Sequence, residues 1–259
     1  MESNEHSPRD PLPTEPDTAD EAGAVAAVDA AQVARAPDDA MAANLEGKPI
    51  VTAVRGFGPL YQRRYQVRLP GLRESPQEVM IIWKQHFPAF QPPDNRFYPS
   101  PKGVKPGEVV FVDSSLVEAP GMRAMTEMAS GVMITDVDDL SFTVMTPKGF
   151  PVAGSNTFSV LTERGAVVAQ VLGLERTSDP LYEFGYRYLG GEAKQDATWV
   201  YVLRSLAAHF GMTADVTIEV TCLDRAIQWR NAANIRHNAV IGTVVHRITA
   251  PLRGTFGGT

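Results

Sequence analysis

Residues 149–174 read GFPVAGSNTFSVLTERGAVVAQVLGL, and this stretch decides the fold. Two runs rich in β-branched residues flank Arg164-Gly165, a turn pair, so the segment reads as strands over 156–163 and 166–176. It opens on Gly149-Phe150-Pro151 and Gly154, whose backbone preferences set a strand turn, and it carries no side chain poised for chemistry. Just upstream, the β pattern continues over 108–117, 121–129, 131–137 and 141–146, with turn chemistry at Asp138-Asp139. Successive short strands joined by tight turns imply an antiparallel meander.

Helices bracket the meander. Tyr65, Val67 and Leu69 alternate with Arg64, Gln66 and Arg68, the period of a half-buried strand. A helix start follows: Ser75 as N-cap, Pro76 at the first helical position and Glu78 completing a capping box. Val79, Ile82, Trp83 and Phe87 then share one face, and Pro88 ends the run. Beyond the meander, Trp199, Leu203, Leu206 and Phe210 recur at helical spacing, with Gly211 as C-cap. A sheet with one apolar face must cover it, and this helix is the long amphipathic element at hand. The expected class is α+β, a curved antiparallel sheet gripping a long C-terminal helix, with a short C-terminal appendage.

The chain has 259 residues, 44% hydrophobic and 21% charged, enough for one large domain or two small ones. Its net charge of −6 is uneven. Residues 1–46 hold 11 acids against 2 bases, net −9; the rest holds 19 against 22, net +3. The first segment is expected to be a disordered acidic tail, apart from a transient Ala-rich helix over 22–34. Residues 47–212 then form the α+β domain, and 213–259 a strand, a helix around Ile227 and Trp229 and a β-branched end, packed on it or used between subunits. The near-neutral body offers no electrostatic footprint for nucleic acid. One cysteine, Cys222, excludes an internal disulfide or a thiolate zinc cage. Neither a signal peptide nor an apolar run of membrane-spanning length is visible, so a cytoplasmic protein is expected. Phosphate-cradling, dinucleotide, nucleophile-elbow and zinc-protease motifs are likewise absent from the sequence, so no cofactor and no metal are expected.

The element order resembles the START-like helix-grip (SRPBCC) superfamily. Gly149-Phe150-Pro151, Gly154 and Phe158, then Glu175-Arg176, Pro180, Gly190-Gly191 and Gln195, are similar to the hairpin entry and closing segment of the uncharacterised domain-of-unknown-function nineteen-ninety family. The resemblance covers roughly residues 60–212. It implies a cavity between sheet and helix that takes an apolar small molecule, with no catalytic residues to carry over.

Candidate cavity residues are Trp83, Phe87, Phe97, Met125, Phe158, Tyr182, Phe184, Tyr186, Trp199, Leu203 and Leu206. If 182–188 is extended, Tyr182, Phe184, Tyr186 and Tyr188 aim one way and line a pocket mouth. If it is helical, Glu183 and Arg187 pair at i,i+4 and the rings diverge. Phe87, Phe90, Phe97 and Tyr98, set among prolines, would form either a lid or a static packing loop. Met122, Met125, Met128 and Met133 suit an adaptable cavity or ordinary core. His86 and His209 fit packing and helix-end roles, His237 and His246 lack ligand spacing for zinc, and the aspartates of 135–139 fit a turn. Three functions stay open: an apolar-ligand binder, a cyclase- or dehydratase-type enzyme using His209, Tyr186 or Glu183 as acid or base, and an interaction module with a filled core. The oligomeric state is not legible.

Overall fold

The structure is a computed structural model and describes residues 24–115 and 126–256. Its strands are β1 (Ala24–Ala27), β2 (Pro49–Val51), β3 (Leu60–Leu69), β4 (Asn95–Tyr98), β5 (Val109–Ser115), β6 (Glu127–Val137), β7 (Ser141–Pro147), β8 (Val152–Glu163), β9 (Ala166–Thr177) and β10 (Val216–Asp224). The helices are α1 (Ala30–Val33), α2 (Asp39–Leu45), α3 (Pro76–His86), α4 (Pro180–Tyr188), α5 (Gly191–His209) and α6 (Ala239–Phe256). The main sheet is antiparallel in the order β10-β3-β9-β8-β7-β6-β5-β4, and β1 joins β2, which borders β7. β3 therefore lies beside β9, the last strand of the meander, and α5 lies against β3 and β9. The fold is α+β, an antiparallel sheet holding a long helix.

Local chemistry sets the ends of these elements. Ser75 and Glu78 form the capping box of α3, with Pro76 at its first turn. At the end of α5, Gly211 adopts φ +71°, and the amides of Gly211 and Met212 close on the carbonyls of Ala208 and Ala207. In β3, Tyr65, Val67 and Leu69 are fully buried beneath α5 together with Leu203 and Leu206. Burying such side chains contributes roughly 1.5–3 kcal/mol each.

The sheet is covered on both faces near β5 and β6. Val110, Val112, Met128, Val132 and Ile134 enter the core with α5, whereas Val109, Phe111, Ala129 and Met133 meet Val28, Met41 and Leu45 on the other side. That is why residues 128–134 form an unbroken buried run. One strand, β6, occupies 127–137 where two were expected over 121–129 and 131–137; Gly131 lies within it, and the earlier part of the first lies outside the described residues.

The disordered-tail expectation fails over 24–46. Net charge hid how the acids are spent: Asp29 caps α1 and Asp38 caps α2, while Val28, Val33, Met41 and Leu45 are buried. Arg35 pairs with Glu108 at 3.3 Å. Residues 1–23 lie outside the described residues. The C-terminal region is also more integrated than an appendage. β10 pairs with β3 from Val216 to Asp224, and the segment read as a β-branched end is α6, packed on α2 and β6. Asn44 Nδ2 joins them by donating to the carbonyls of Ala129 (2.8 Å) and Ala239 (3.1 Å) and to Thr243 Oγ1 (3.0 Å). Ile227 precedes a 3-10 segment, Trp229–His237, rather than sitting in an α-helix.

Candidate functional site: a cavity between sheet and helix

Between the inner face of the sheet and α4–α5 lies a cavity of about 280 Å³. Its walls are mostly apolar. Val110, Val112, Val132 and Val144 come from the strands because every second residue faces inward. An aromatic cluster adds to them. Phe158 stacks on Phe142 at 4.6 Å between ring centroids and meets Phe87 (5.1 Å) and Trp199 (5.5 Å) edge-on. Offset and edge contacts of this kind suit the quadrupoles of the rings.

Six of the eleven candidate cavity residues line the cavity: Phe87, Phe97, Phe158, Tyr182, Tyr186 and Trp199. Trp83, Leu203 and Leu206 are fully buried in the adjoining core and do not line it. Met125, with Met122, lies outside the described residues; Met128 lines the wall, and Met133 belongs to the opposite face. Phe184 is exposed and turned away, because α4 makes 180–188 helical. The extended comb is thereby corrected. Asp179 caps α4 through the amides of Leu181 and Tyr182, and Glu183 pairs with Arg187 at 2.6 Å one turn on. Tyr182 and Tyr186, four apart, face inward, while Phe184 and Tyr188 face solvent.

The lid reading likewise gives way. Phe87–Phe90 is a 3-10 turn continuing α3, and Phe97 and Tyr98 belong to β4, hydrogen-bonded along β5. His209 meets His86 at a tilt (5.2 Å) and Phe90 edge-on (5.7 Å), away from the cavity. Lys48 Nζ stands 3.2 Å from Nδ1 of His237, and burial followed by Lys48 and Lys148 lowers that histidine's pKa. Asp138 accepts from the Leu140 amide and the Ser141 hydroxyl, as a turn residue does. Among the described residues no group of three or more His, Cys, Asp or Glu could hold a metal ion.

Sequence reasoning missed the polar end of the cavity. Arg63 is 1% exposed, with Nη2 2.6 Å from Glu192, Nη1 3.3 Å from Asp196 and Nε 3.5 Å from Glu175. The Tyr65 hydroxyl donates to Asp196 (2.6 Å), the Tyr186 hydroxyl to Gln195 Oε1 (2.9 Å), and Gln195 Nε2 to Glu175 Oε1. Burial raises the pKa of Glu175, offset in part by Gln195 and Arg63. Burial likewise holds the Tyr65 and Tyr186 hydroxyls in their protonated forms. Glu175 lies on the wall shared by the main cavity and a smaller polar recess lined by Tyr61, Glu183, Arg187 and Glu192. The signal was present in the strand period: Arg63 is two residues from Tyr65, and Glu175 is four from buried Val171.

Gly149, from the opening stretch, ties the hairpin to the C-terminal region. It has φ +98°, its carbonyl accepts from the Ala239 amide (2.9 Å) and the Tyr182 hydroxyl (3.2 Å), and a Cβ there would stand 2.0 Å from the His237 carbonyl oxygen.

No protein-family model and no curated protein matches the chain. Solved structures similar to it include protein Ms6760 from Mycobacterium smegmatis, at 16% identity over 58% of this chain and 90% of that one, with a TM-score of 0.38. Major latex-like protein 151 from Panax ginseng is 14% identical over 59% and 99%, with a TM-score of 0.38. The di-domain ARO/CYC StfQ from the steffimycin biosynthetic pathway is 9% identical over 58% and 50%, with a TM-score of 0.43. Likeness at this level carries no statement about ligand or activity.

Proposed function

We propose that the chain binds a lipid-like or other apolar small molecule in the cavity between the sheet and α5. The observation behind this reading is the cavity of about 280 Å³ with its aromatic and valine walls. An apolar guest gains from leaving water, and walls of this kind are the usual lining of small-molecule sites. An interaction module with a filled core does not fit that volume. Trp229, its proposed contact, is 73% exposed but packs edge-on against Phe57 at 5.3 Å. Kinship with the START-like superfamily and the nineteen-ninety family is part of the proposal, resting on the residues of the hairpin entry and closing segment. So is a cytoplasmic location; no helix among the described residues is long and apolar enough to cross a membrane.

A cyclase- or dehydratase-type activity in the same cavity is the second reading, and Glu175 favours it. A carboxyl at a cavity wall whose pKa is raised by burial is better placed for proton exchange near neutral pH than an ordinary one. Of the acid–base candidates read from sequence, His209 is off the cavity, and Glu183 is held by Thr177 and Arg187. Tyr186 alone of the three lines it, with its hydroxyl engaged by Gln195.

The binding reading is tested by titrating delipidated protein with 1-anilinonaphthalene-8-sulfonate, beside a Val144→Trp variant that fills the cavity and retains its circular dichroism. Saturable fluorescence lost in the variant supports it. Equal fluorescence in both proteins refutes it.

A further inference from the structure

The cavity is apolar along most of its wall, but three oxygens of its lining residues lack a hydrogen-bond partner among the described residues, Asn95 Oδ1, Asn156 Oδ1 and Glu175 Oε2, and the last two stand on adjoining strands. Asn156 on β8 lies directly opposite Gly173 on β9, and Glu175 follows two residues later on the same inward face. Gly173, placed between them, has no side chain. A Cβ there would stand 2.8 Å from Asn156 Oδ1 and 3.8 Å from Glu175 Oε2, so both oxygens border the space that the missing side chain leaves. Glu175 is 97% buried (3% exposed), and its other oxygen already engages Gln195 and Arg63. A buried acceptor left without a donor is costly, and buried side-chain oxygens are paired in the large majority of cases.

Resting on the small-molecule reading above, we infer that the ligand is an apolar molecule with a hydroxyl group at one end, seated over Gly173 between Asn156 and Glu175. The chemistry of the surroundings selects a neutral hydroxyl. Two acceptors call for a donor. Arg63, whose Nε is 3.5 Å from the Glu175 carboxylate, already supplies a cation to that group, so a second one is not called for. An anionic group would meet the carboxylate itself. A hydroxyl also accepts, so it suits Glu175 in either protonation state and either orientation of the Asn156 amide. Burial raises the pKa of Glu175, which makes a partner able both to donate and to accept the better match. The rest of the ligand would extend along Phe158 and Trp199, whose rings continue the wall.

The test uses two isomers of equal size, 1-octanol and heptyl methyl ether, which differ in having a hydroxyl or only an ether oxygen. Both are measured by displacement of 1-anilinonaphthalene-8-sulfonate from delipidated wild type and from a Gly173→Ala variant. Gly173 has no left-handed φ requirement, and the added methyl would meet only the Asn156 side chain closely. The expected result is that wild type prefers the alcohol roughly tenfold, the worth of one charge-assisted or buried hydrogen bond, and that Gly173→Ala loses the preference while keeping ether affinity. Both isomers binding equally to wild type overturns the hydroxyl seat and leaves the cavity reading standing. A preference that persists in Gly173→Ala overturns its placement. Failure of both isomers to bind wild type overturns this inference together with the cavity reading. Should Gly173→Ala not fold, Asn156→Leu replaces it with the same expectation.

Discussion

Replacing Arg63 with methionine should destabilise the protein in a manner that depends on pH. The guanidinium is 1% exposed and faces three carboxylates; Glu192 is half exposed and Asp196 partly so, and both can turn to water. Glu175 cannot, being 3% exposed between β9 and α5. Without Arg63, which lowers its pKa, burial acts with less opposition and favours the protonated carboxyl. A carboxyl whose pKa folding raises stabilises the folded state fully below the ordinary glutamate range, and that contribution is lost as pH rises through the folded pKa. Each pH unit over which the folded state keeps the carboxyl protonated while the unfolded chain ionises it costs about 1.4 kcal/mol, at most ~3.4 kcal/mol by pH 7 and under about 1 kcal/mol at pH 5, and wild type bears part of this cost because burial raises the pKa of Glu175 there too. Removing one partner of a buried pair costs about 3–5 kcal/mol, in the same range. Urea unfolding of wild type and Arg63→Met at pH 5 and pH 7 should show the gap widening by about 1–2 kcal/mol at the higher pH. Adding Glu175→Gln should remove most of the widening. A loss at pH 7 below about 1 kcal/mol, or one independent of pH, refutes the account of this buried cluster.

Three further variants probe other joints. Asn44→Ala removes the donor that links α2, β6 and α6 and should cost about 1–3 kcal/mol by urea unfolding; an unchanged midpoint would mean those hydrogen bonds are not made in solution. Gly149→Ala forces a methyl to within 2.0 Å of the His237 carbonyl at φ +98°, so about 3 kcal/mol or more is expected, read as a lowered thermal midpoint; wild-type stability would contradict the geometry. Phe158→Ala deletes the ring at the centre of the aromatic cluster and should cost about 3–5 kcal/mol, with a loss below 1 kcal/mol showing that its contacts are loose.

Much of the scaffold was legible because its cues are local. The Ser75–Glu78 capping box, the alternation of Tyr65, Val67 and Leu69, the Arg164-Gly165 turn and the Trp199–Leu206 stripe each depend on near neighbours, and each stands where expected. What failed depended on distant partners. Val28, Met41 and Leu45 looked too sparse to fold within an acidic segment, yet the outer face of β5 and β6 supplies the surface that buries them. The Tyr182–Tyr188 stretch reads equally as strand or helix until the Asp179 cap and the Glu183–Arg187 pair decide it. Arg63 and Glu175 were hidden for the opposite reason. Charged residues are rarely buried, so their inward strand positions carried little weight until β3, β9 and α5 were seen to converge.

The most direct test of the cavity reading is mass spectrometry of the small molecules released when the purified chain is denatured. The account predicts a near-stoichiometric apolar compound bearing a hydroxyl, whose release falls sharply from the Val144→Trp variant. No bound compound, together with no thermal shift across a panel of lipids and long-chain alcohols, would contradict it.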